Sequence, residues 1–386
     1  MTYEFADCAL DIDRRELMRN GVLVPLEPQV FDLLQMLVEN PGRVVTRDEI
    51  VDGVWGGRIV SESAMSARIS AARKAVGDDG KSQAVIRTVQ RKGLQFVARL
   101  AVAGVVRAPT TATQRVKYTA NDQGQSLAYT VTGSGPRLMR VPATPEDIGL
   151  EWEHSVYRQM IEEISNEFEY LRYDGLGFGL SDHDIDDKSF ERDANDCRAV
   201  ADAESWDRFA VMSESGACFE ALHLAVMYPE RISRLVIVGG YSEGRSLRGE
   251  PDAPDMLRAM IRESWESEEE YLARAFVTAY MPEGPMDAVN QLAQRMRAGA
   301  STEEMTRLRD AINAYSVLPL LPKVQCPTLI VHGRKDAVHP LSEAKKLAAG
   351  IPNSELLILE TANHIPVHGH ATWNVYLEAL CRFLKP

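Results

Sequence analysis

The chain has 386 residues, of which 45% are hydrophobic and 26% are charged, and its formal net charge is −13. This length exceeds what one hydrophobic core usually supports, so we expect two globular domains, and the composition excludes an intrinsically disordered chain. No apolar run approaches the roughly 20 residues that span a bilayer, and the first residues lack a signal-peptide pattern. We therefore expect a cytoplasmic protein that does not enter a membrane.

The charge is unevenly distributed along the chain. Residues 1–57 carry 5 Lys or Arg against 11 Asp or Glu, whereas residues 58–100 carry 9 against 3. The remaining residues have an acidic excess and would be repelled by phosphates. Nucleic-acid binding is therefore predicted only for the basic segment near the amino terminus.

Three helices and a hairpin are predicted in the first hundred residues. Pro28 begins a helix whose apolar stripe is Val30, Phe31, Leu34, Leu37 and Val38. Thr46 and Glu49 form a capping-box sequence for a second helix. We expect Ser63 to cap a third helix, which Gly77 ends. Residues 84–97 form two short strands around a basic turn with a glycine, the pattern of a hairpin wing.

This succession resembles the OmpR/PhoB-type winged-helix domain, in the amino-terminal placement of CadC-like transcriptional regulators. The resemblance covers roughly residues 3–100 and rests on segments 26–34, 40–49, 54–56 and 86–89. It implies an α+β winged helix-turn-helix fold that binds double-stranded DNA, with the third helix in the major groove and the wing in the minor groove. A linker is expected at residues 101–115, which show no periodicity.

The candidate DNA contacts are chosen by their positions on the third helix and the wing. Arg68 is assigned to a base edge, and Arg73 and Lys74 are assigned to the phosphate backbone. The wing candidates are Thr88, Arg91 and Lys92. For any single one of these cations, the alternative is an ordinary solvated surface charge.

From residue 116 to residue 386, apolar strand-like runs alternate with amphipathic helical patterns, which predicts a largely parallel sheet. These blocks resemble the α/β-hydrolase fold. In that fold, the helix-rich insertion at about residues 241–320 would be a helical cap over the nucleophile. Its many apolar side chains favour a mostly apolar ligand.

The hydrolase resemblance implies a catalytic triad. A nucleophile elbow needs small residues two positions before and after the serine, and Ser213 and Ala217 satisfy this around Ser215. Ser213 as nucleophile would put Val211 in a crowded position, so we favour Ser215. Asp336 would orient His364, which would accept the serine proton, in the chain order that this fold uses.

Backbone N–H groups beside Ser215 and after the third strand are the candidate oxyanion donors. The oxyanion donors would be the backbone N–H of Gly216 and that of Ala143 or Thr144, because Val-Pro-Ala-Thr-Pro stands where this fold usually has His-Gly.

We expect no metal and no cofactor, and interpret the histidines at 332, 339, 368 and 370 as non-ligands. The five cysteines show no disulfide or metal spacing, so we expect reduced thiols.

Three functions remain open. The first is a transcriptional regulator, expected to be a homodimer, that senses a small carbonyl-containing effector near Ser215 and hydrolyses it slowly. The alternative is an active esterase or lactonase with an accessory DNA-binding domain. A third is a hydrolase fold that serves only as a dimerisation scaffold, which the filled triad positions disfavour.

Overall fold

The chain forms two compact units in this computed structural model, Met1–Ala112 and Thr113–Pro386. The structure describes residues 2–12, 14–19, 22–40, 42–57, 60–78, 80–81, 83–89, 92–98, 101–102, 114–142, 145–183, 189–249, 253–266 and 271–385. Each unit has its own buried apolar core. Most of the predicted linker lies outside the described residues, and the domain boundaries stay predictions.

The first unit opens with an antiparallel meander that the sequence analysis did not predict. Its strands are β1 (Thr2–Phe5), β2 (Cys8–Asp11), β3 (Glu16–Arg19) and β4 (Val22–Val24). Leu10 and Leu17 face each other across β2 and β3, and both are fully buried. Together with the buried Phe5 and Cys8, they contribute to the core of this unit.

Three helices and a short strand follow the meander. They are α1 (Pro28–Val38), β5 (Val44–Thr46), α2 (Arg47–Trp55) and α3 (Glu62–Ala75). The predicted apolar stripe of α1 is buried, and Thr46 and Glu49 form the predicted capping box. The predicted cap of α3 is wrong. Ser61, not Ser63, accepts the N–H of Ala64 at 3.3 Å, so the helix begins two residues earlier.

The wing is a hairpin of β6 (Ile86–Val89) and β7 (Gly93–Phe96), and β7 also pairs with β5. Gly93 has a positive φ, and a Cβ there would lie 1.9 Å from the carbonyl oxygen of Val45, so only glycine allows this pairing. Strand β8 (Ala101–Val102) pairs with β1. The sheet therefore extends into the segment that we assigned to the linker.

The second unit is built on an eight-stranded sheet. Its strands are β9 (Lys117–Ala120), β10 (Ser126–Thr132), β11 (Arg137–Val141), β12 (Glu169–Tyr173), β13 (Phe209–Glu214), β14 (Ile232–Val238), β15 (Thr328–Gly333) and β16 (Ser354–Leu359). They are arranged in the order β9-β10-β12-β11-β13-β14-β15-β16. Strand β10 is antiparallel to both neighbours, and the strands from β12 to β16 are parallel, as the alternating pattern predicted.

Helices cover both faces of this sheet. The chain forms α4 (Ile148–Glu153), α5 (Ser155–Ser165), α6 (Phe190–Ala203) and α7 (Cys218–Met227), then a helical insertion, then α12 (Leu341–Gly350) and α13 (Thr372–Leu384). Val211 packs in the core with α6, α7 and α12, whereas its neighbour Met212 packs in the core with α5 and α13. Successive strand residues thus bury opposite faces.

The insertion consists of α8 (Ala253–Glu266), α9 (Tyr271–Thr278), α10 (Met286–Gly299) and α11 (Thr302–Asn313). It has a small core of its own, which includes Ile261, Phe276, Leu292 and Met305. These helices form the predicted cap, so the predicted fold class is confirmed for both units. Among the residues described, no helix has both the length and the apolar composition for a membrane span.

Candidate functional site

Ser215 lies in the sharp turn between β13 and α7. Its φ is +51°, a left-handed value that is rare for a residue with a side chain, and the residue is nearly buried. The small residues Ser213 and Ala217 are also buried on either side of it. This strained strand-to-helix turn is the geometry that a nucleophile elbow requires.

Asp336 and His364 form a hydrogen-bonded pair after β15 and β16. The Nδ1 of His364 is 2.7 Å from the Oδ2 of Asp336. The Oδ1 of Asp336 accepts the backbone N–H groups of Val338 at 2.7 Å and His339 at 3.0 Å. Burial raises the pKa of Asp336, but the attraction and hydrogen bond of His364 outweigh it and leave this pKa lowered. The ionised carboxylate is therefore suited to orient the imidazole.

The other ring nitrogen of His364 is available for a proton. Its Nε2 is buried and makes no hydrogen bond to any residue within the described ranges. No hydrogen bond joins Ser215 to His364, in the part of the chain that is described. Catalytic hydrogen bonds of this kind often tighten only when a substrate is bound.

Gly239 makes room for His364, the candidate base. It follows β14 with a φ of +61°, and a Cβ on it would lie 2.8 Å from the Cε1 of His364 and 2.7 Å from the carbonyl oxygen of His364. Any side chain at this position would therefore displace the imidazole. The sequence shows this glycine, but only the fold shows what it contacts.

Of the predicted oxyanion donors, only Gly216 can be placed. It is buried next to Ser215, and a Cβ on it would lie 2.9 Å from the Cδ1 of Ile312 and 3.1 Å from the Oη of Tyr241. A side chain at this position would therefore press on the ends of the side chains of Ile312 and Tyr241, which would have to shift. Ala143 and Thr144 lie outside the described residues.

The cap closes tightly over this turn. A cavity of about 10 Å³ lies beside Gly216, with lining residues that include Pro142, Glu220, Leu308 and Ile312. This volume holds about one water molecule, so this cavity, as the described residues line it, has no room for an organic ligand. Sequence periodicity could not reveal this closure, because it depends on how α11 packs.

Two of the histidines that we interpreted as non-ligands, His332 and His339, lie near the candidate triad. The Nε2 of His332 lies 3.1 Å from the carbonyl oxygen of His339 and 3.3 Å from the Oδ2 of Asp336. The ring of His339 stacks on Tyr241 at 3.8 Å. Within the described ranges, no group of His, Cys, Asp and Glu side chains is arranged to hold a metal ion.

In the first unit, a groove of about 660 Å³ lies between α3 and the wing. Arg73, Lys74 and Thr88 line it, as do Arg47, Ser66 and Ser70. The sequence analysis missed the last three. Ser66, Ser70 and Lys74 are exposed at a spacing of four residues, which marks one helix face and could have indicated them.

The candidate DNA contacts differ in how they are held. Arg68 is paired with Glu27 at 2.9 Å and with Gln29 at 3.1 Å. Arg73 donates to the carbonyl oxygen of Ile86 and to Thr88, both at 2.9 Å. Lys74 and Lys92 are exposed, and Arg91 lies outside the described residues. Lys74 and Lys92 are therefore the exposed cations among the candidates that the structure describes, and the DNA assignments of all six stay predictions.

Comparison with known proteins identifies both units. Residues 148–371 match the family described as alpha/beta hydrolase fold. The chain belongs to the alpha/beta hydrolase fold family. Residues 21–96 match the family described as "Transcriptional regulatory protein, C terminal". The predicted fusion of an OmpR/PhoB-type DNA-binding domain to a hydrolase-fold domain is thus confirmed.

Relatives match each unit separately. The first unit is 36% identical over 83 residues to the transcriptional activator CadC of Escherichia coli K12, which is 21% of this chain and only 16% of CadC. The hydrolase-fold unit is 24% identical over 262 residues to a 2-hydroxy-6-oxononadienedioate/2-hydroxy-6-oxononatrienedioate hydrolase of Paraburkholderia xenovorans, covering 65% of this chain and 85% of that enzyme.

Solved structures share the hydrolase fold. The enol-lactonase of Burkholderia xenovorans LB400 superposes with a TM-score of 0.58 at 19% identity, over 70% of this chain and 100% of the enzyme. At this identity the likeness shows the fold alone.

Proposed function

We propose that this transcriptional regulator senses a small carbonyl-containing effector at Ser215 in its hydrolase-fold unit and hydrolyses it slowly. Binding of the effector would move the cap and change DNA affinity, with two copies of the chain reading paired half-sites. The proposal unites two units that have separate cores and separate relatives.

One observation carries the proposal. The Asp336–His364 hydrogen bond of 2.7 Å, together with the positive φ of Ser215, preserves the parts that activate a serine. A hydrolase fold kept only as a scaffold would not need a strained serine or a buried carboxylate paired with an imidazole. A pocket in which the serine attacks a carbonyl carbon does need them.

The same observation favours the second candidate, an active esterase or lactonase with an accessory DNA-binding domain. The two candidates differ in turnover and in the consequence for DNA. A sensor with slow hydrolysis keeps its ligand bound for longer than it takes to bind DNA. An enzyme releases products quickly, and its DNA affinity does not depend on occupancy of Ser215.

The test is the mass of the intact protein after exposure to a fluorophosphonate. We expect one adduct per chain in the wild type and none in Ser215→Ala, because only an activated serine attacks the phosphorus. Ser213→Ala is the matched control, and it should still be labelled. Absence of labelling in a folded wild type would contradict an activated serine, and labelling of Ser215→Ala would contradict the assignment to Ser215.

A further inference from the structure

Arg309 of the cap lies beside the catalytic histidine without belonging to the triad. Its Nη2 donates to the Oη of Tyr280 at 2.6 Å. Its guanidinium carbon is 5.7 Å from the ring centre of Phe276 and 5.9 Å from that of Tyr280. Its Nε is buried without a hydrogen-bond partner, and it forms no ion pair with a carboxylate, as far as the described residues show.

Tyr280 connects this arginine to the triad. The ring of Tyr280 is 5.5 Å from that of His364, and its carbonyl oxygen accepts the backbone N–H of His364 at 2.8 Å. The charge of Arg309 is thus held one side chain away from the imidazole that would accept the serine proton.

Arg248 adds positive charge to the same region. Its Nη2 is 3.0 Å from the Nδ1 of His339, and its guanidinium lies 5.7 Å from the ring centre of Tyr241, whose hydroxyl is close to Gly216. Burial lowers the pKa of His339 well below its usual value, and the charges of His364, Arg248, Arg245 and Arg309 lower it further. His339 is therefore a neutral acceptor for Arg248.

Among the described residues, the partly buried guanidinium of Arg309 has aromatic and hydroxyl neighbours but no counter-ion, which is electrostatically unfavourable. A carboxylate is the partner whose planar geometry matches it. We propose that the ligand of this site carries a carboxylate, which binds Arg309 while the ligand's carbonyl group lies at Ser215. The inference rests on the proposed function, because it specifies the chemical class of the same ligand. Small monoesters and lactones that bear a carboxylate fit this description.

The experiment compares binding of monomethyl and dimethyl esters of succinate, glutarate and adipate to the full chain carrying Ser215→Ala. Each pair has one chain length and differs in a single negative charge, and the Ser215→Ala background prevents hydrolysis during titration calorimetry. We expect at least one monoester to bind about tenfold more tightly than its diester. Adding Arg309→Met should remove this difference and leave diester affinity within about twofold.

Two further variants exclude a general loss of structure. Arg309→Lys keeps the charge and should retain part of the preference. Arg307→Met, on the same helix at a partly exposed position and paired with Glu303, should retain all of it. Equal affinity within every pair, tighter binding of the diesters, binding of no ester, or equal weakening of both esters by Arg309→Met would each overturn the inference. Fluorophosphonate labelling of the wild type tests the catalytic serine separately, so the two failures can be told apart.

Discussion

Ser215 and Gly239 show how single backbone positions shape the candidate site. Both have left-handed φ values, +51° and +61°. For Ser215 this conformation is strained and persists only because buried neighbours hold the turn, whereas for Gly239 it allows His364 to approach. The conformation of Ser215 places the candidate nucleophile at a sharp turn, and the missing side chain of Gly239 leaves room for the candidate base, His364.

The order of the triad candidates could be read from the sequence, but much of their surroundings could not. Ser215 stands between small residues after an apolar run, a local signal that needs no tertiary structure. Arg309 and Tyr280 gave no such signal, because they are cap residues whose proximity to His364 depends on how the insertion folds back. Arg68 likewise looked free in the sequence and is paired with Glu27 in the fold.

His339 provides a prediction on pH. Burial and the neighbouring cations hold its folded pKa well below the ordinary value of 6.5, so the unfolded chain takes up the proton first as the pH falls. Its contribution to stability is therefore complete above pH 6.5 and declines below it. We predict that His339→Gln lowers the melting temperature of the hydrolase-fold unit at pH 7.5, and that the difference from wild type shrinks at pH 5.5.

Differential scanning calorimetry at the two pH values measures this difference. His368→Gln is the control, because His368 is partly exposed and contacts Glu163, whereas His339 contacts Arg248. A difference between wild type and His339→Gln that stayed constant or grew as the pH fell would show that His339 is not held neutral by its surroundings.

At the scale of elements, the residues that begin helices predicted structure better than the alternating patterns that indicate strands. Pro28 at the start of α1 and the Thr46–Glu49 capping box placed two helices correctly. For α3, Ser61 and Ser63 are both suitable N-cap residues, and their hydroxyl oxygens are only 3.0 Å apart. The sequence could not show which of them caps the helix. Strands β1–β4 were missed because strands of three or four residues are too short for a clear alternation.

Helix α3 and the wing give a prediction that separates DNA contact from structure. Lys74 is exposed in the groove, so Lys74→Ala should weaken binding of duplex DNA and reduce the slope of log affinity against log salt by about one. Its neighbour Arg73 is hydrogen-bonded to Ile86 and Thr88, so Arg73→Ala should lower the melting temperature of the first unit.

Fluorescence anisotropy at several salt concentrations measures the first effect and thermal unfolding the second. Arg15→Ala is a control for lost positive charge, because Arg15 lies outside the groove and pairs with Asp32. If Lys74→Ala left the salt slope unchanged, the assignment of this residue to the phosphate backbone would be wrong.

At the scale of the whole molecule, a buried ionic network connects the cap to the residue where the described part of the second unit begins. Glu151 of α4 accepts hydrogen bonds from Arg140, Arg172 and, at 3.1 Å, Arg295 of the cap. Burial raises the pKa of Glu151, but the three arginines outweigh it and keep the pKa low, so the carboxylate is charged. Arg172 also donates at 2.5 Å to the side chain of Gln114.

This network suggests how occupancy of the site could alter DNA binding. A cap that opens moves α10, and any shift of Arg295 redistributes the hydrogen bonds of Glu151 and Arg172. Gln114, which also donates to the carbonyl oxygen of Ile148 at 2.8 Å, is held by that arginine. Because Gln114 is the first described residue of the second unit, we expect its side chain to carry the signal, and removal of that side chain can be tested.

We predict that Gln114→Ala uncouples the two units while leaving each one functional. The fluorophosphonate adduct at Ser215 serves as the occupied state, and a duplex selected from random sequence serves as the DNA probe. Forming the adduct should change the Kd of the wild type at least about fivefold and that of Gln114→Ala less than about twofold. Arg115→Ala, an exposed neighbour, should respond as the wild type does. A full response in Gln114→Ala, with normal labelling, would show that the coupling takes another route.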